Sequence, residues 1–163
     1  MTAERPPADV RVVKTDDAYD DAVAVRMAVF VDEQGVPEEL ELDDHEAEAV
    51  HFVAYESSDH DHDGPGHHHD DPGDPIGAAR LREPEDGVGK VERVAVLESH
   101  RGRGVGGELM ATAESVAAAR DYDRLVLHAQ TTATGFYERL GYERVGDAFQ
   151  EDGIEHVEMR KEL

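Results

Sequence analysis

Val91-Glu-Arg-Val-Ala-Val-Leu-Glu-Ser-His-Arg-Gly-Arg-Gly-Val-Gly-Gly-Glu-Leu-Met110 runs an apolar strand into a Gly/Arg loop, and the loop opens an Ala-rich helix. Gly102, Gly104 and Gly106 let the backbone turn tightly and approach a ligand with no Cβ in the way. A helix starting near Gly104 leaves its first N–H groups unpaired, and its dipole favours negative charge there. Arg101 and Arg103 add cationic donors in a chain otherwise rich in carboxylates. The stretch predicts a pyrophosphate-binding turn between a strand and a helix, and with it an α/β fold.

Two phosphate-binding patterns are excluded by what surrounds the loop. A nucleotide P-loop needs Gly-Lys followed by Ser or Thr, and no such triplet occurs. Gly102-x-Gly104-x-x-Gly107 matches the dinucleotide fingerprint literally. That fingerprint also needs an acidic ribose ligand closing the next strand. The next strand, Arg124-Leu-Val-Leu-His-Ala129, ends in Gln130 instead.

Outward from the loop, the rest of the chain reads as alternating short elements. Val10-Arg-Val-Val-Lys14 is a β-branched strand. Thr15 or Asp16 caps a helix with Ala18, Ala22, Val25 and Val29 at helical spacing. Asp16, Asp17, Asp20 and Asp21 crowd its first turns, and Gly35 and Pro37 end it. An acidic connection over 38–48 carries at most a short helix, and Glu39, Glu41, Asp43 and Asp44 read as a solvated run. Strands follow at 50–55 and from Pro75, separated by a His/Asp/Gly/Pro-rich insertion over 57–75. Gly87 and Gly89 turn into a strand over 90–97. The helix after the loop places Val105, Leu109, Ala113, Val116 and Ala117 on one side. A strand over 124–129 and a helix from about Thr132 to Leu140, stopped by Gly141, come next. Strands over 145–149 and 154–160 pair through Asp152-Gly153. The expectation is a single α/β domain over 1–163, a mixed sheet flanked by helices in the order β-α-β-β-β-α-β-α-β-β.

With 163 residues the chain can bury one core. Absence of cysteine excludes disulfides and a covalent cysteinyl intermediate. No stretch approaches the roughly 20 apolar residues of a membrane span, and the N-terminus lacks an apolar signal core. A cytoplasmic protein with no membrane partner is expected. The net charge of −23, from 39 acidic and 16 basic residues, is spread along the whole chain. It reads as a surface adapted to multimolar salt, where the Debye length is about 3 Å. The alternative is a surface that attracts cationic substrates. Nucleic acid is an unsuitable partner, because phosphate binding needs clustered cations.

Arg101-x-x-Gly104-x-Gly106, following Arg93-Val-Ala-Val96, resembles the coenzyme-A-binding motif of the GNAT superfamily of acyl-CoA-dependent N-acyltransferases. Thr134-Gly-Phe-Tyr-Glu-Arg-Leu-Gly-Tyr142 is similar to the helix and turn after strand five of that superfamily. Val29-Phe-Val-Asp-Glu-Gln34, Leu127-His-Ala-Gln130 and Glu151-Asp-Gly-Ile-Glu-His-Val-Glu-Met159 resemble its ElaA-like branch. Together these cover most of residues 10–161.

The resemblance implies acetyl-CoA as co-substrate. Its pantetheine arm would pair with the backbone of Val94, Ala95 and Val96. Its pyrophosphate would lie on Arg101, Gly102, Arg103, Gly104, Val105, Gly106 and Gly107, with Gln130 nearby. The implied reaction is direct attack on the thioester by an amine of a small molecule or protein, in a ternary complex. Tyr137 is the implied general acid; its alternative reading is a core aromatic. Glu33, Glu92, His128 and His156 are candidate bases. For these the alternatives are, in turn, a helix-end carboxylate, a solvent-facing strand residue and two hydrogen-bonded structural histidines. Superfamily members often dimerise, which puts a homodimer among the expectations. His60, His62, His67, His68 and His69 interleave with aspartates that can hold zinc, nickel or copper. A Gly/Pro-rich loop lacks the second shell that orients true ligands, so no metal is assigned to the site. Two other functions stand beside the enzyme: a CoA-binding regulatory module without efficient turnover, and a metal-binding protein built on the His/Asp loop.

Overall fold

The computed structural model describes residues 8–56 and 73–163, so nearly all of the His/Asp-rich insertion lies outside the described residues. The elements follow the predicted order. Strand β1 (Ala8–Val12) is followed by α1 (Asp16–Arg26), a π-helical continuation (Met27–Glu33) and the short α2 (Glu38–Glu41). Strands β2 (Val50–Glu56), β3 (Pro75–Glu85) and β4 (Val88–Val96) lead into α3 (Val105–Ala119). Strand β5 (Arg124–Gln130), α4 (Thr134–Arg139), β6 (Glu143–Glu151) and β7 (Ile154–Glu162) complete the chain.

The strands form one seven-stranded sheet in the order β1-β2-β3-β4-β5-β7-β6. Only the β4–β5 pair is parallel. Helix α3 covers one face, where Leu109, Met110 and Ala113 pack with Phe52, Leu81, Val91, Leu125 and Met159. Helix α1 and its π-helical continuation cover the other, with Ala22, Val25 and Val29 against Val53, Tyr55, Ala78 and Ala95. Thr15 caps α1 as the sequence predicts, its Oγ1 accepting from the Ala18 N–H at 3.1 Å.

Three sequence expectations are corrected. The first strand lies two residues earlier than 10–14, because β1 pairs with β2 from Ala8↔Glu56 to Val12↔Phe52. Gly87 makes the turn at φ 80°, but Gly89 sits inside β4. A Cβ on Gly89 would stand 2.7 Å from both Leu125 and Tyr122, so that glycine is there for close approach. The acidic connection is a solvated run only in part: Glu39 and Asp44 are exposed, but Glu41 and Asp43 are not. Glu41 and the fully buried Arg26 meet at 2.7 Å, Asp43 and the fully buried Arg80 at 2.7 Å, and Glu46 reaches both arginines at 2.6 Å. The predicted hairpin over Asp152-Gly153 is present, and it joins the sheet through its second strand, with β7 between β5 and β6.

One irregularity sets up the site. Ala78 of β3 faces Ala95 and Arg80 faces Glu92, so β4 carries one residue more than β3 over this interval. The extra length is a bulge at Arg93, whose φ is +57°. Pairing of β4 with β5 ends at Val91↔Leu127, whereas β5 stays paired with β7 as far as Gln130↔His156. Beyond Val91 the two central strands therefore diverge and leave a wedge between them.

Candidate active site

The glycine loop lies at the mouth of this wedge. Gly104 is the N-cap of α3 at φ 87°, and no side chain caps the helix. Its first-turn N–H groups are thus free of the capping that Thr15 gives α1. Gly102 also has positive φ (77°), and a Cβ on Gly102 or Gly107 would meet nothing within 4 Å, so this side of the loop is open. Gly106 faces inward, where a Cβ would stand 3.0 Å from the Phe136 ring, and the loop is packed directly on α4. Arg103 and Val105 lie on either side of Gly104, the arginine exposed and the valine buried.

Arg101 behaves differently from the sequence expectation. Its Nε donates to the Val96 carbonyl at 2.9 Å, and its two terminal nitrogens hold Glu33 at 2.6 and 2.7 Å. The pair ties the end of the π-helical segment to the loop. The Arg101 hydrogen bond holds the Glu33 carboxyl below the usual carboxylate range, and Glu33 raises Arg101 in turn.

Inside the wedge is an open cleft of about 250 Å³. Its walls include Phe30, Val94, Gln130, Tyr137, Glu151 and His156. Gln130 donates to the Gln34 side chain at 2.9 Å, which closes the cleft on the helical side. Tyr137 is 8 % exposed, with Phe136 and Tyr142 edge-on to its ring, and burial pushes its hydroxyl well above the usual phenol range.

The candidate bases separate by their neighbours. Glu92 is in ion pairs with Arg80 (3.0 Å), Arg82 (2.7 Å) and Lys90 (3.4 Å). Burial alone would raise its pKa, but the hydrogen bond from Arg82 and the three cations hold it low. A carboxylate so paired is a weak proton acceptor. His128 is the first β5 residue beyond the last β4 partner, and it lines the cleft. Its Nδ1 lies 3.2 Å from Glu151. His156 lies next to it on β7, its Nδ1 donating to the Ile154 carbonyl at 2.7 Å. The structure thus brings His128, His156 and Tyr137 to one cleft with Gln130 and the backbone of Val94, Ala95 and Val96. It ties Glu33 and Glu92 to arginines.

Residue-type reasoning overlooks Glu151 and Phe149. The signals that point toward them are the predicted strand over 145–149, the Asp152-Gly153 turn and the family-like stretch that begins at Glu151, none of which assigns them a role. Among the described residues no helix is long and apolar enough to cross a membrane, and no group of three His, Cys, Asp or Glu could hold a metal ion.

Residues 15–163 match the family model described as the acetyltransferase (GNAT) domain. The chain is 39 % identical over 152 residues to the "uncharacterized N-acetyltransferase YjcF" of Bacillus subtilis (strain 168), covering 93 % of this chain and 97 % of that one. Protein ElaA of Escherichia coli is 29 % identical over 143 residues, with 85 % and 84 % covered, and its crystal structure superposes with a TM-score of 0.74. A crystal structure of an acyl-CoA N-acyltransferase from Pseudomonas aeruginosa superposes with a TM-score of 0.75 at 26 % identity, covering 94 % of this chain and 99 % of that one. With the splayed strands, the glycine loop and this match over nearly its whole length, the chain belongs to the GNAT acetyltransferase domain family.

Proposed function

We propose that this protein transfers an acetyl group from acetyl-CoA to a primary amine of a small molecule or protein, by direct attack in a ternary complex. The observation that carries the reading is the wedge between β4 and β5, opening beside a glycine loop on an uncapped helix end. These features fit a pantetheine arm and a pyrophosphate. The β4 edge at Val94, Ala95 and Val96, which has no β5 partner, can hydrogen-bond the arm as an added strand would. The open side at Gly102 and Gly107 leaves room for phosphate oxygens against backbone N–H groups. Exposed Arg103 supplies a cation there, and Arg101 braces the loop. The similarity to an acyl-CoA N-acyltransferase supports the same ligand.

Bound acetyl-CoA would supply an acetyl group activated as a thioester and a thiolate leaving group. The chain's own residues manage protons and charge around it. An alkylamine is protonated at neutral pH, and His128 takes its proton, because Glu33 and Glu92 are held by arginines. The freed lone pair forms the new N–C bond as the C–S bond breaks, and the second proton, shed by nitrogen as the amide forms, goes to the departing thiolate. Backbone N–H groups on the β4 edge polarise the carbonyl. Tyr137 donates a hydrogen bond to the sulfur. Burial keeps this phenol protonated, which makes it a donor to developing charge more than a full proton source.

Calorimetric titration of acetyl-CoA, followed by thiol release with a panel of amines, tests the reading. A one-to-one complex and amine-dependent release are expected. Arg103→Ala together with Arg101→Ala should weaken acetyl-CoA binding by roughly 10-fold or more, the loss of one or two charge-assisted bonds, and leave turnover at saturation largely intact. Unchanged affinity in that variant would remove the loop assignment. Binding with no release for any amine would favour the alternative of a CoA-binding regulatory module.

A further inference from the structure

Glu151 is the last residue of β6 and lies against both cleft histidines. It arrives there through a second irregularity. Val145 faces Glu158 and Phe149 faces His156, so β6 spends four residues where β7 spends two. Gly146, at φ 77°, makes this bulge. Past it, Phe149 stands edge-on to the His128 ring, 4.9 Å between centroids, and nearly parallel to the His156 ring at 6.2 Å. The Glu151 carboxylate comes within 3.2 and 3.4 Å of Nδ1 of His128 and 4.0 Å of Nε2 of His156.

The hydrogen-bond chemistry fixes which nitrogen of His128 is bare. The hydrogen bond from His128 keeps Glu151 low, against the effect of burial, and the carboxylate is ionised. An ionised carboxylate only accepts, so Nδ1 of His128 carries the hydrogen and Nε2 holds the lone pair. The Phe149 edge restricts rotation of the ring. Around this unit the other charged or titratable groups are Glu158, 3.8 Å from Nε2 of His128, His156 on β7 and Lys90 on β4.

We propose that Glu151 is a positioning residue, delivered by the bulged end of β6, that holds His128 in the tautomer whose Nε2 accepts the proton of the acceptor amine. This rests on the acetyltransferase reading with His128 as base.

Two measurements on the full chain test it. Two-bond 1H–15N correlation of the imidazoles reads the His128 tautomer without any turnover. Wild type should show neutral His128 with hydrogen on Nδ1. Glu151→Ala should move it toward the Nε2–H form, and Glu151→Gln, which keeps a carbonyl acceptor, should move it less. In thiol-release kinetics, Glu151→Ala should lower kcat by about 100-fold, the low end for a displaced general base, with KM for acetyl-CoA unchanged. Glu151→Gln should retain part of that rate. A wild-type His128 with its hydrogen on Nε2 overturns the proposal, as does a Glu151→Ala variant with kcat unchanged or with kcat lowered and the tautomer unmoved. Absence of thiol release by wild type would sink the acetyltransferase reading itself, and with it this one.

Discussion

Tyr137 and the cleft carboxylates show how neighbours decide what an ionisable side chain can do. Tyr137 has an apolar setting, with Phe136 and Tyr142 against its ring, and desolvation pushes its already neutral hydroxyl further above the usual phenol range. A hydrogen bond to a charged acceptor is worth about 1.5–3 kcal/mol. Tyr137→Phe is therefore expected to lower kcat by roughly 10- to 100-fold, with acetyl-CoA affinity within about twofold of wild type. Single-turnover thiol release beside calorimetry separates the two quantities, and a wild-type rate would remove Tyr137 from the chemistry. Glu33 shows the limit of reading residue types. As a carboxylate at a helix end it reads equally as a base or as a bystander. Only the fold reveals that Arg101, far off in sequence, holds it with two short hydrogen bonds.

At the scale of elements, a buried ionic network joins α1, the connection over 42–48, β3 and β4. Arg26 and Arg80 are fully buried, and Glu46 bridges them while also accepting from the Tyr19 hydroxyl at 2.6 Å. Arg93, at the bulge, reaches Glu41 at 3.1 Å. The network thus anchors the strand whose bend opens the cleft. Arg80→Ala would take from Asp43, Glu46 and Glu92 the fully buried partner they share, and breaking a buried pair costs about 3–5 kcal/mol. A fall in melting temperature of roughly 6–20 °C is expected for a chain of this size. Calorimetric melts of wild type and variant at one fixed KCl concentration check it. The network also sets an acid limit. Burial would raise Glu46, but bonds from Arg26 and Tyr19 bring it down to about 2, from an unfolded value of 4.5. The hydrogen bond from Arg80 likewise holds Asp43 well below the usual carboxylate range. These depressed groups add stability that is complete above the unfolded value and is lost as pH falls from 4.5 toward 2. Melting temperature should decline through that window in wild type and less steeply in Arg80→Ala. Parallel slopes would discard the Arg80–Asp43 pair as a source, because Arg26 and Tyr19 still hold Glu46.

For the whole molecule, the dominant physical fact is the charge of −23. With 39 acidic and 16 basic residues, ion pairing leaves the excess to face solvent, where it repels itself across the surface. At 1 M salt the Debye length is about 3 Å, and most of that repulsion is screened. Circular dichroism melts across a KCl series should therefore show the melting temperature rising steadily with salt. A flat or falling series would rule out the salt-adapted surface. Much of this molecule is legible without coordinates. Strand periods, the Thr15 cap, the Asp152-Gly153 turn and the loop over 101–107 are local signals, and local sterics and hydrogen bonding determine them. The sequence by itself thus determined the order of elements, the glycine loop at the start of α3 and the net charge. The tertiary structure alone decided that Gly89 is a point of close packing, that β7 lies inside β6, and that Glu41, Asp43 and Glu46 of the acidic connection bind the buried Arg26 and Arg80. It also decided the two bulges, at Arg93 and Gly146, and through them the cleft and the placing of Glu151 on His128. Each of these depends on the register between strands distant in sequence, and the side-chain period of a single strand does not encode which partner residue it will face.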